Sequence, residues 1–192
     1  MKKLAAFFKK TSLPSFWIAL NGKGGSVGLN GVRSQSSRSL PARTAVLNFL
    51  IAMELVSPAA IAYWSALNHH GMTEQIPRTV FVATNHHVQL SSKEALGFTF
   101  KIISVRQKKF FGVVKDWINE QPFSITDKEK TIIDGLDLPR YVGGVGKIAK
   151  ALKQASEELD EAKLREYAAK IGNSAVGKRL GYLRDIRLWR SS

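Results

Sequence analysis

The 192-residue chain contains no cysteine. Disulfides, thiolate zinc sites and a cysteine nucleophile are thereby excluded, and the expected compartment is a reducing one. Acidic residues are missing from the first 53 positions, which hold eight Lys or Arg. The other 139 carry the remaining 21 basic and all 15 acidic residues, a net of +6 within the total of +14. A surplus this large points to a polyanionic partner, nucleic acid before a membrane surface.

Long apolar runs are scarce as well. Ala45 to Leu67 is about the length of a membrane span. It contains Asn48, Glu54 and Ser57-Pro58, and a proline near its middle breaks one continuous helix. Two helices of a folded domain are expected there, and no membrane segment. The opening "MKKLAAFFKK" has a basic start, but its apolar core, Leu4 to Phe8, is shorter than the roughly 7–15 residues of a secretory signal.

Apolar residues nevertheless make up 44 % of the chain, enough to bury a core. Residues 21 to 44, "NGKGGSVGLNGVRSQSSRSLPART", show neither helical nor strand periodicity. Residues 1–44 are therefore expected to form a basic flexible N-terminal arm, rich in Gly, Ser and Arg. The organised part, residues 45–192, reads as an α/β (or α+β) domain, a small mixed sheet with a helical C-terminal half.

Within it, Ser57 as N-cap and Pro58 as first helical residue predict a helix through "AAIAYWSALNHH", ended by Gly71 in the left-handed C′ position. "TVFVAT" (79–84), "GFTFKIISVR" (97–106) and "QPFSIT" (121–126) predict strands. Asp127 should cap a helix over "KEKTIIDGL". Ile148, Leu152, Ala155 and Leu159 keep helical spacing, as do Leu164, Tyr167, Ala168 and Ile171, and Val176, Leu180 and Leu183 begin a last helix.

The four histidines come as His69-His70 and His86-His87. Adjacent helical residues point about 100° apart, so neither pair suits chelation of one ion. A metal site would need one His from each pair plus Glu74; the alternative is helix-end histidines bonding the last carbonyls. No Ser lies in a GxSxG elbow. "GKGGSVG" lacks both the GxxxxGK[ST] order and a preceding strand. A metal-dependent nuclease would have to draw on Glu74, Asp127 and Glu129, although acids at 127 and 129 are favoured by a helix N-terminus in any case.

Basic residues offer more. Lys178, Arg179, Arg184, Arg187 and Arg190 concentrate in the last fifteen positions. If the final helix continues, Arg184, Arg187 and Arg190 form one row able to track a phosphate backbone. If it frays after Ile186, they complement the helix dipole instead. Arg78 joins them as a candidate DNA contact.

"WSALNHHGMTEQIPRTVFVAT", "FSITDKEKTIIDGLDLPRYVGGVGKIAKAL" and "NSAVGKRLGYLRDI" resemble, in this order and at about this spacing, the AbiEi antitoxins of bacterial type IV toxin–antitoxin (abortive infection) systems. The resemblance covers roughly residues 55 to 186. It implies a cytoplasmic, non-enzymatic protein without cofactor that counters an AbiEii-like nucleotidyltransferase toxin without a stable complex. It also implies repression of the protein's own operon through promoter DNA. In the family DNA contact is attributed chiefly to an N-terminal winged helix-turn-helix, and antitoxicity to the C-terminal domain. Upstream of Ala45 this sequence departs from the pattern, since no recognition helix can be drawn through "NGKGGSVGLNGVRSQSSRS". The alternative function is a degenerate or metal-dependent nuclease on a small α/β core, and a third is a basic protein that coats nucleic acid.

Overall fold

The computed structural model describes residues 40–89, 91–95, 98–118 and 120–185, the side chains of 40–47 and 95 excepted. The flexible arm, the opening basic segment, Arg187 and Arg190 therefore fall wholly or mostly outside the described residues. Helix α1 (Leu40–Leu55) starts inside the stretch read as arm, and residues 1–39 are not described.

Six strands form one mixed sheet in the order β3-β4-β2-β1-β6-β5. They are β1 (Ala60–Ile61), β2 (Thr79–Thr84), β3 (Ser92–Ala95), β4 (Phe98–Ser104), β5 (Val113–Ile118) and β6 (Gln121–Thr126). The mixed sheet and the helical C-terminal half are those expected from the sequence. β2 and β4 run parallel over six residue pairs, from Thr79 opposite Thr99 to Thr84 opposite Ser104. β1 is antiparallel to β2 and parallel to β6, where Ile61 faces Ile125.

Alternation along each strand sends neighbouring side chains to opposite faces. Ile61, Val80, Val82, Phe100, Phe123 and Ile125 form one buried cluster with Phe49, Ile51 and Ala52 of α1. On the other face Ala83 and Ile103 meet the helical half. That half comprises α2 (Tyr63–His69), α3 (Lys128–Asp137), α4 (Val145–Gln154), α5 (Glu161–Ile171) and α6 (Ser174–Asp185). Its core is built from Tyr63, Leu67, Ile132, Ile133, Leu136 and Ile148, with Leu164, Ile171, Val176 and Leu183 behind them.

α3 is the hub of this layer, and every residue from Glu129 to Leu136 is buried. Asp127 caps it as expected, its side chain accepting from the Lys130 N–H at 2.8 Å. Gly135 lets α4 approach closely, because a Cβ there would lie 2.2 Å from Ile148 Cδ1.

The helix predicted from Pro58 is corrected. Ser57 caps nothing, the Ser57-Pro58 bond is cis, and the chain first contributes β1 before α2 starts at Tyr63. Burying Ala60 and Ile61 between two neighbouring strands outweighs the local capping signal. Tyr63 makes the strand-to-helix turn at φ +54, in the left-handed region that a bulky side chain rarely occupies. Its ring is fully buried and meets Tyr141 edge to face at 5.2 Å. Besides β1, two further strands, β3 and β5, were not expected. α4 ends at Gln154, so Ala155 and Leu159 are buried from the turn beyond it. No helix among the described residues is long and apolar enough to cross a membrane.

Candidate nucleic-acid interface

The segment after α2 shows how the candidate surface is assembled. Gly71 closes the helix in the left-handed region at φ +70. The Met72 N–H donates to Leu67 O at 2.8 Å and the Gly71 N–H to Asn68 O at 3.1 Å, which together make a Schellman closure. The last carbonyls are thus satisfied by backbone, and the histidines are free for other partners. His69 Nε2 lies 2.7 Å from the Asp116 carboxylate on β5, while His70 Nε2 donates to Thr126 O on β6 at 2.7 Å. The expectation that these rings bond their own helix's carbonyls is corrected: they tie α2 to the sheet.

The His69 hydrogen bond holds the Asp116 carboxyl below its usual value. Burial holds His70 below its usual value despite the favourable carbonyl partner. His86 and His87 are exposed in the turn after β2. Among the described residues no three His, Asp or Glu side chains are grouped to hold a metal ion.

From Gly71 the chain runs as a loop to Arg78, and α4 holds it. Lys147 Nζ donates to Gln75 Oε1 at 2.9 Å, and Gln154 Nε2 donates to Gly71 O at 2.6 Å. α4 has sharply divided faces. Ile148, Ala151 and Leu152 are buried, whereas Lys147, Lys150 and Lys153 share the opposite side at i, i+3 and i+6. The helix contains no acid, and among the described residues none of its lysines is in an ion pair. Arg78 is exposed at the end of the same loop, and Ile76 within it is 74 % exposed.

Between α2, this loop and α4 lies a hollow of about 190 Å³, lined by Trp64, Met72, Glu74, Gln75, Lys147 and Lys150, among others. A larger hollow of about 500 Å³ lies between α5 and α6, but its walls are mainly Leu152, Leu164, Ala168, Ala169 and Leu180. Its charged lining is the mutually paired Glu161, Arg165 and Arg184, with Asn173 and Ser174 as further polar groups.

The basic residues singled out in the sequence do not form one site. Lys178 is exposed on α6. Arg179 is turned inward, its guanidinium donating to Leu136 O of α3. Arg184 pairs with Glu161 of α5 at 3.2 Å. Two of the four described members of that set therefore brace helices. The α4 lysines were passed over, although "GKIAKALKQ" carries their spacing opposite Ile148, Ala151 and Leu152.

The three acids of the nuclease alternative also part company. Lys163 of α5 bridges Asp127 at 3.2 Å and Glu129 at 3.0 Å. Burial raises the Glu129 carboxyl, but the Asp160 N–H and the Lys163 ammonium more than offset this and hold it below its usual value. Tyr167 donates to Asp127 at 3.0 Å. Glu74, by contrast, lines the hollow beside α4. Comparison of the chain with family models and with curated proteins finds no match.

Proposed function

We propose that the protein is a nucleic-acid-binding antitoxin of the AbiEi type, cytoplasmic and non-enzymatic. In this reading it counters a nucleotidyltransferase toxin without a stable complex and binds DNA, at its own promoter or non-specifically. The antitoxin class rests on the sequence resemblance. The observation that supports nucleic-acid binding is the acid-free lysine side of α4, with Arg78 on the loop that α4 holds. Phosphate contacts of this kind fix a protein on DNA without reading sequence. The overall charge of +14 acts in the same direction.

Two experiments test the proposal. The full chain should retard DNA in a gel at low salt with little sequence preference, and binding should fall steeply as salt rises. Binding undiminished by salt, or tight selection of one inverted repeat, would overturn this non-specific mode. Co-expression with the product of the adjacent downstream gene tests antitoxicity. Growth should be rescued from a nucleotidyltransferase; a neighbour of another class, or toxicity that persists, sinks the reading.

A further inference from the structure

The hollow beside α4 combines four features. Trp64 forms one wall, half-buried, with the Gly143 backbone beside its indole ring. Leu67, Met72 and Val142 supply an apolar floor. Glu74, Gln75 and Gln154 place a carboxylate and two side-chain amides on the rim. Lys147 and Lys150 complete it with two cations.

Trp64 also follows directly on Tyr63, whose left-handed backbone turns the chain from β1 into α2 within one residue. Strain of this kind persists where the surroundings enforce it, and it gathers at binding sites. An aromatic wall, an apolar floor and rim groups that both donate and accept suit a flat heteroaromatic ring with polar edges. A nucleobase is such a ring: every base has a face that stacks on an aromatic side chain. A carboxylate such as Glu74 accepts from an exocyclic amine. The volume of about 190 Å³ leaves space for one base, not for a paired step.

We propose that the hollow between α2, the 71–78 loop and α4 holds a single unpaired nucleobase, with the strand's phosphates on Lys147, Lys150 and Lys153. A strand is favoured over a free mononucleotide because the lysine row extends past the hollow. Lys153 does not line it, and six helical residues carry the row about 9 Å along the axis. At about 3.4 Å of rise per phosphate on one strand, this spans two or three successive phosphates. The inference rests on the nucleic-acid-binding reading above and goes beyond it, since a duplex without an unpaired base would use the lysines alone.

The test uses the full chain and fluorescence anisotropy with three labelled probes: a 20-base-pair duplex, the same duplex with one extra unpaired adenine, and a 20-nucleotide single strand. Wild type should prefer the bulged duplex and the single strand to the perfect duplex by about tenfold, the scale of one base–aromatic stack. Trp64→Ala should bring the ratio to about one. Thr73→Phe, at a half-exposed position on the rim, should do the same by filling the hollow, which keeps the test informative if Trp64→Ala does not fold. Equal binding of all three probes by wild type overturns the inference while leaving nucleic-acid binding intact. Failure to bind any probe overturns the broader reading as well. In competition, AMP displacing the strand at concentrations that match the strand's own affinity would reassign the hollow to a free nucleotide.

Discussion

Lys130 and Asp134 stand one turn apart on α3, both buried, with the ammonium bonded to the carboxylate and 4.7 Å from the centre of the Phe111 ring. Burial raises the Asp134 carboxyl to about 6, against the pull of Lys130. Removing either partner strands the other in an apolar layer. Lys130→Met or Asp134→Leu alone should cost about 3–5 kcal/mol in urea unfolding, whereas the double substitution should cost far less than the sum of the two. Additive losses would show that the pair is not coupled. A second prediction follows from opposite signs of titration. His70 is held below 6.5 in the folded protein, so the unfolded chain takes up the proton more readily and stability falls as pH drops below 6.5. Asp134 is raised from 3.8 to about 6, so the folded state takes up its proton first and stability gains as pH falls through 6 towards 3.8. His70→Gln removes only the first effect. Relative to wild type, its urea midpoint should improve progressively as pH falls below 6.5; a constant difference across that range would contradict the assignment.

Helices α3 and α4 divide the work of folding and of binding. Gly135, within "DKEKTIIDGLD", sits where α4 crosses, and Gly135→Ala should cost about 1–3 kcal/mol by forcing Ile148 and Val142 apart. Thermal melts would check this, and an unchanged midpoint would mean the core can absorb the methyl group. On α4 the expectation is reversed. Changing Lys147, Lys150 and Lys153 together to Ala should leave stability within about 0.5 kcal/mol per site. It should also lower the salt slope of DNA binding by about 3, close to one unit for each lost phosphate contact. An unchanged salt slope in the folded triple variant would remove α4 from the interface. Much of this layout was legible in the sequence. β2, β4 and β6 are runs of β-branched and aromatic residues, and Asp127 and Gly71 are local signals that act locally. The edge strands were not legible. "SKEA" and "VVKDWI" carry charge where only one neighbour pairs with them, so their apolar alternation is weak. β1 was hidden because two residues between distant partners leave no periodicity to read. The arginines near the chain's end outnumber the α4 lysines in a count by position, and only packing reveals that Arg179 and Arg184 are already engaged.

Across the whole molecule the sheet has two unequal parts. β3, β4 and β2 form one, β6 and β5 the other, and Ala60–Ile61 alone lies between them. Only Ile61 opposite Ile125 links β1 to β6 in the ladder. Ile61→Pro, which deletes a backbone donor at the junction, should therefore lower amide protection in β5 and β6 before it does so in β2 and β4. Hydrogen exchange read by mass spectrometry would show this, and uniform deprotection would mean that the sheet opens as one unit. Mechanically, the sheet is two ribbons joined over a two-residue splice. Its bending stiffness at that line comes from the layers laid across it, with α1 against β1, β2 and β6 on one face and α2 and α3 on the other. A load applied to the β5 edge, through the exposed Trp117 for instance, would reach the splice before it reached β2 or β4.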